Sequence, residues 1–528
     1  MMYRRLAFPV VATALSAVVM APGAAAHPRD GHGHGTDRGD LELTLLGRYE
    51  TGSFDEGAAE ITAYDARTER VFTVNAERGT VDVLDISDPA EPRKVAELDT
   101  PGANSVAVHD GTVAVAQEAG DKTDPGTVTL FRARDGRRID AVTVGALPDM
   151  LTFTPDGRRV VVVGEGEPDS YCAGGTDPEG TVSVLDLDRH GRVTGVRTAD
   201  FRAWNGQEDR LREQGVRIYG PGASAAQDFE PEYAAVSPDG RTAYVTLQEN
   251  NAIATVDLVR ARVTRVDALG TKDHGTAGNG LDPSDDDGGA AIGTWPVSGL
   301  YEPDGIASFG GGRYLVTANE GDTRDGDCWS EEVRVADLDL SPEAFPDAAA
   351  LQDDAALGRL TVTATSPRDA EGRVTELQVP GGRSLSVRDT RGRLLWDSGD
   401  DLERLMAERY PDDFNTDNTE NDPDSRSDAK GPEPEGVTVG TVRGTTYAFA
   451  GLERFGGIVV YDLSDPRDPR LAGYVTSRDF GGDPEAGTAG DLGPEGLTFV
   501  PAADSPTGDA LLVVGNETSG TTAIYRVG

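Results

Sequence analysis

Carboxylates recur at one position along this chain. GPEPEGVTVG (431–440) places Glu433 and Glu435 directly ahead of an alternating apolar run, and GPEGLTFV puts Glu495 in the same slot. PDMLTF, PEYAAV and PDGIAS repeat the arrangement with Asp149, Glu232 and Asp304, and EITAY with Glu60. A second set, Glu165, Glu249, Glu320, Glu453 and Glu517, closes the apolar run that follows. Hard oxygen ligands in such number are the chemistry of Ca2+, with Mg2+ or Mn2+ next in order. Without a cation, like charges brought together repel and raise one another's pKa. The competing reading is structural: an acid behind proline caps a turn by accepting backbone N–H bonds.

The elements that carry these acids form a repeat. Each acid-led run (NSVAV has Asn104 in that place) is followed by a short turn and a second apolar run, such as VFTVNAE, VVVVGEGE or YAFAGLE. A third run often ends in Asp, as in GTVDVLDISDP and GGIVVYDLSDP, and a fourth closes several units. Period-two alternation marks strands, and PDG and SDP mark turns. The shortest spacing between unit starts, Asn104 to Asp149, is 45 residues. A four-stranded antiparallel unit of that length, repeated about seven times, buries both faces only by stacking radially. The fold class predicted is therefore an all-β propeller of four-stranded antiparallel blades, seven in number, with room for an irregular eighth in the wide interval between Asp304 and Glu435. A single propeller domain is expected over 41–528, with insertions near 165–228, 268–300 and 338–430. LELTLLGRYE (41–50) has no unit of its own and is expected to supply the last unit's fourth strand, closing the ring.

In such a ring the first strand of each unit lines the channel, and its start lies beside the end of the second. Asp149 should then sit near Glu165, Glu232 near Glu249, Asp304 near Glu320, Glu435 near Glu453, and Glu495 near Glu517. The result is a crown of carboxylates at one mouth, offset by cations or by Lys430, Arg454 and Arg478. If the crown holds metal and clamps a phosphate, Lys430 and Arg454 are the candidate catalytic cations.

The remaining features bound the problem. Ninety-two acidic against 49 basic residues give a net charge of −43, which excludes nucleic acid and anionic membrane as expected partners. MMYRRLAF, PVVATALSAVVM and APGAAA read as a secretory signal cleaved near Ala26, followed by a polar His/Gly-rich leader over 27–40. The chain ends at TTAIYRVG with no apolar tail, so a secreted extracellular monomer without a membrane anchor is expected. The two cysteines, Cys172 and Cys328, follow acidic loops of the same kind; a disulfide in an oxidising compartment is favoured over free thiols or a metal pair. Beyond the leader only His109, His190 and His274 remain, too dispersed for a triad or a histidine-rich zinc site. LDPSDDDGG (281–289) and NTDNTENDPDSRSD (415–428) are acidic loops without an EF-hand pattern. DDLERLMAERY (400–410) is the one helix candidate, with Leu402, Leu405 and Met406 on one face.

GALPDMLTFTPDG, YGPGASAAQDFEPEY, LVTANEGDTRD, RSDAKGPEPEGVTVG, AFAGLERFGGIVVYD and GDLGPEGLTF run collinearly through the chain. Together they resemble the choice-of-anchor I proteins, bacterial relatives of the mesenchyme-specific cell-surface glycoproteins of biomineralising animals. The resemblance implies a secreted or surface-anchored propeller. It also implies an association with calcium mineral in the animal members and an alkaline-phosphatase label on some bacterial ones. The expected function is a secreted propeller that binds divalent cations, calcium first, at its acidic mouth and presents a surface to an extracellular matrix or mineral ligand. The alternatives are a calcium-dependent phosphomonoesterase acting on a phosphoester, and a metal-indifferent extracellular scaffold.

Overall fold

A computed structural model describes residues 41–528; the expected signal segment and the leader lie outside the described residues. Seven four-stranded antiparallel sheets account for most of the described strands. Sheet 1 runs Thr62–Asp65, Arg70–Asn75, Thr80–Asp85, Arg93–Asp99; sheet 2, Ala103–His109, Thr112–Gln117, Pro125–Arg132, Arg138–Ala146. Sheet 3 is Pro148–Phe153, Arg159–Gly164, Thr181–Leu187, Val193–Asp200; sheet 4, Pro231–Val236, Thr242–Leu247, Ala252–Asp257, Arg262–Ala268. Sheet 5 is Ile306–Phe309, Tyr314–Asn319, Ser384–Asp389, Leu394–Asp397; sheet 6, Pro434–Val442, Thr445–Leu452, Ile458–Asp462, Arg470–Val475. Sheet 7 comprises Pro494–Val500, Ala510–Asn516 and Thr521–Val527, and its fourth strand is the N-terminal Leu43–Glu50, antiparallel to Thr521–Val527.

Successive residues of a strand face opposite sides, so a sheet packed on both faces needs nearly continuous apolar runs. RVFTVN illustrates this. Phe72 and Val74 pack with Val106 and Val113 of sheet 2, while Val71 packs with Val513 and Ile524 of sheet 7. Each neighbouring pair of sheets has its own apolar cluster, through to the pairing of sheet 7 with sheet 1. The first strands touch in the same cyclic order, and Pro494–Val500 packs against Thr62–Asp65. This is an all-β, propeller-like arrangement in which the first strands form the hub.

The interval between Asp304 and Glu435 contributes one four-stranded sheet. Its extra strands go elsewhere: Leu377–Val379 joins Thr271–Asp273 and Val297–Leu300 in a three-stranded sheet, and Glu332–Arg334 pairs with Thr361–Thr363. Residues 181–200 and 384–397, placed inside insertions from sequence, are strands of sheets 3 and 5. The insertions proper leave from the ends of second strands or join one sheet to the next, so antiparallel topology puts them all at the end where first strands begin. Asp401–Arg409 is helical as its periodicity predicts, burying Leu402, Leu405 and Met406 against sheets 5 and 6. Cys172 and Cys328 are joined by a disulfide that ties the insertion of sheet 3 to that of sheet 5.

Three hub glycines let adjacent first strands meet backbone to backbone. A Cβ on Gly305 would lie 2.4 Å from the Glu435 carbonyl oxygen, one on Gly436 1.9 Å from that of Glu495, and one on Gly496 2.5 Å from that of Glu60. Gly436→Ala is therefore expected to destabilise the protein by about 1–3 kcal/mol, since strand 494–500 must shift. Gly120→Ala, with open space around it, should stay within about 0.5 kcal/mol. Calorimetric unfolding of both variants checks this; equal midpoints would mean that the hub strands are not in contact.

Candidate functional site

The first strands do not enter the hub as regular ladders. Pairing with the second strand shifts register between Pro148 and Met150, Pro231 and Ala234, Pro434 and Val437, and Pro494 and Leu497. Asp149, Glu232, Glu435 and Glu495 sit inside these bulges. A bulge kinks its strand and re-aims a side chain, so a residue that strict alternation would not place on the axis turns toward it. Two residues earlier, Leu147, Glu433 and Gly493 have positive φ. Their carbonyls accept the N–H of Glu165 at 2.9 Å, of Glu453 at 2.8 Å and of Glu517 at 2.8 Å. That bond pins the end of each second strand beside the start of the first.

Within each of the five pairs expected from sequence, one acid acts electrostatically on the other. Asp149 raises the pKa of Glu165, Glu249 that of Glu232, Glu320 that of Asp304, Glu453 that of Glu435, and Glu517 that of Glu495, each in addition to a larger effect of burial. Acids from non-adjacent sheets also interact: Glu495 feels Asp304 and Asp149 as well as its neighbour Glu60. These acids therefore lie close enough to act on one another from several sheets. Burial, then Glu517 and Asp149, pushes Glu60 up to about 8. Burial, then Glu118, pushes Asp149 to about 6. Solvent still touches Asp149, Glu232, Asp304, Glu435 and Glu495, whereas Glu249 and Glu453 are 6% and 4% exposed. The ring is thus enclosed yet reachable by an ion.

Its donor set fits a hard cation. Carboxylate oxygens of Asp304, Glu320 and Glu435 lie within 4.8 Å of one another, as do those of Glu320, Glu433 and Glu453. Buried Oε2 atoms of Glu249, Glu435 and Glu495 have no hydrogen-bond donor. Unpaired buried acceptors are costly, and a divalent ion coordinated by several oxygens would satisfy them.

Lys430 and Arg454 are both at the crown, and both are held by carboxylates. Lys430 Nζ lies 2.9 Å from Glu320 and 3.0 Å from Glu433. Burial alone would lower its pKa, but Glu320, Glu433 and Asp322 hold it well above the usual lysine value. Arg454 pairs with Glu453 at 3.1 Å and lies 3.6 Å from Glu433. Arg478 instead binds the carbonyls of Arg454 and Phe455 at 2.9 Å.

Glu433 was not among the candidate ligands. It is fully buried; burial would raise its pKa, yet Lys430, Arg426 and Arg454 bring it down to about 2. A signal for it was available in the tripeptides Glu230-Pro-Glu232, Glu302-Pro-Asp304 and Glu433-Pro-Glu435. In each, the second acid faces the hub and the first turns to an insertion arginine. Glu230 meets Arg324 at 2.9 Å, Glu302 meets Arg217, and Glu433 meets Arg426 at 3.1 Å.

The pH dependence follows in sign. Crown carboxyls with raised pKa bind protons more tightly folded than unfolded, so ionisation opposes folding. In chelator, the thermal midpoint should fall by several degrees as pH rises from about 4.5 to about 8, the interval between the ordinary value of Glu60 and its folded one. Glu435→Gln with Glu495→Gln should flatten that fall. A midpoint that rises across the window would show that the acids do not face one another.

Comparison with known proteins gives a choice-of-anchor I domain over residues 60–466. Gigasin-3a of Magallana gigas is 34% identical over 193 residues, 34% of this chain and 66% of that protein. A mesenchyme-specific cell surface glycoprotein of Strongylocentrotus purpuratus is 28% identical over 223 residues, 35% of this chain and 28% of that protein. Among solved structures, Kuenenia stuttgartiensis hydrazine synthase superposes with a TM-score of 0.47 at 13% identity, covering 90% of this chain and 99% of that one. The Cps50 (Swd1) β-propeller domain of Myceliophteria thermophila gives 0.44 at 10% identity, covering 92% and 100%. The family match spans most of the chain and includes five of the six acids that lead hub strands: the chain belongs to the choice-of-anchor I domain family.

Proposed function

We propose that this protein is an extracellular seven-bladed β-propeller whose hub binds divalent cations, calcium first, and whose insertion-covered mouth presents a surface to an extracellular ligand. The observation that carries the reading is the convergence of crown carboxylates with unpaired, buried oxygens on Glu249, Glu435 and Glu495. Asp304, Glu320 and Glu435 are the residues that would hold the first ion, with Glu495 beside them. The bound ion would supply positive charge, converting the mutual repulsion of the ring into attraction. Placement outside the cell accords with the cell-surface name of one relative and with the leader expected from sequence. Among the described residues no helix is long and apolar enough to cross a membrane. Phosphomonoester hydrolysis is the weaker reading, because Lys430 and Arg454 each already face carboxylates.

Chelator-treated protein titrated calorimetrically with Ca2+ is expected to bind it. The thermal midpoint at pH 8 should rise, corresponding to about 2.7 kcal/mol when the ion is at a hundredfold its dissociation constant. Glu435→Gln with Glu495→Gln should weaken binding by tenfold or more, about 1.4 kcal/mol. Ca2+ binding that is indifferent to this pair would place the ion elsewhere. A midpoint unmoved by either calcium or chelator would leave the scaffold reading in its place.

A further inference from the structure

At the end opposite the crown, one groove gathers positive charge. The turns that join first to second strands, and third to fourth, lie at the far end from the crown. Across three adjacent sheets these turns border a groove of about 720 Å³. Arg67 comes from sheet 1, Arg132, Arg134 and Arg138 from sheet 2, and Arg189 and Arg192 from sheet 3. Six guanidiniums line a groove whose own acids are Asp65 and Asp110, with Asp135 3.5 Å from Arg132 and 3.6 Å from Arg134, in a chain of net charge −43. One of the acids is already taken: Asp110 pairs with Arg67. Asp65 is 2% exposed and accepts the Thr68 hydroxyl at 2.7 Å. Among the described residues the guanidiniums of Arg138, Arg189 and Arg192 form no ion pair and all three are exposed; Asp188 accepts the backbone N–H of Arg192 at 2.9 Å, and Arg189 Nε donates to His190 Nε2 at 3.1 Å.

From this groove we infer a second binding site, for a sulfated polysaccharide. Cations unpaired by the protein's own acids are available to an anion, and at physiological salt the local field outweighs charges more than about 8 Å away. Every cation bordering the groove is arginine or histidine and none is lysine. Guanidinium is weakly hydrated and presents a planar fork that meets the oxygens of an oxyanion two at a time. A sulfate ester offers such oxygens and keeps its charge at every physiological pH. The arginines arrive one sheet after another, which suits a chain with regularly repeated anions better than a single small ion. Thr68 and Thr112 add hydroxyls that can meet sugar hydroxyls. No phenyl, phenol or indole ring lines the groove, so it lacks the stacking platforms that a single-stranded nucleic acid uses.

The test is fluorescence anisotropy of a labelled, size-defined sulfated octasaccharide with the full chain. It is run in chelator, so that ions at the acidic mouth cannot bridge the ligand, at about 50 mM and about 200 mM salt. Binding is expected at the lower salt and weaker at the higher. Arg138→Ala with Arg192→Ala should weaken it about tenfold or more. Arg467→Ala, an exposed arginine on sheet 6, should match the unsubstituted protein. The inference is overturned if the unsubstituted protein fails to bind at low salt, or if the Arg138/Arg192 pair binds as tightly as it does. It is equally overturned if an unsulfated uronate octamer or a single-stranded DNA of equal charge competes as well as the sulfated ligand. The unsubstituted protein and the competitors decide the matter even where the paired variant unfolds.

Discussion

Everything at the acidic mouth follows from one constraint: carboxylates from successive sheets are forced into a common enclosed space. The first strands approach so closely that Gly305, Gly436 and Gly496 have no room for a Cβ, and the bulges turn the adjoining acids toward the axis. Repulsion among them meets two kinds of surroundings. Around Glu433 the chain supplies its own cations, Lys430, Arg426 and Arg454, and Lys430 also reaches Glu320. Around Glu435, Glu495 and Glu249 it leaves oxygens unpaired. Glu320 stands where the two meet, paired with Lys430 and close to Asp304 and Glu435.

The insertions belong to the same logic. Each Glu-Pro-acid tripeptide divides its charges, sending one to the axis and one to an arginine from a long loop. Arg324 also reaches Asp228, and Arg217 also meets Glu331. Buried pairs of this kind are seldom a large net source of stability, but breaking one leaves a charge uncompensated. Here they tie the insertion loops to the entries of the hub strands. The Cys172–Cys328 disulfide adds a covalent tie between two of those loops. The far mouth has short turns instead, and those of sheets 1 to 3 gather exposed arginines into one groove.

The strands, the turns and the repeat were legible in sequence because period-two alternation and PDG-type turns are local properties. The acids that lead and close the hub strands were legible for the same reason, since the repeat puts them in register. Glu433 escaped because its burial depends on Lys430, Arg426 and Arg454, which alternation does not place. The fate of residues 377–397 escaped as well. Strand propensity marks strands without naming partners, and Leu377–Val379 joins Val297–Leu300 while Ser384–Asp389 joins Tyr314–Asn319. The six arginines of the far groove are separated by as many as 125 positions, from Arg67 to Arg192, and net charge concealed them.

By itself, then, the sequence determined the strand repeat, the sites of the turns and the slots that acids occupy, because each depends on neighbours a few residues away. Only the tertiary structure decided which acids keep a protein counter-ion and which retain bare oxygens. It alone also gathered the scattered arginines into one groove. Both outcomes depend on Coulomb interactions and desolvation among groups that only the closed arrangement of sheets brings within a few ångströms.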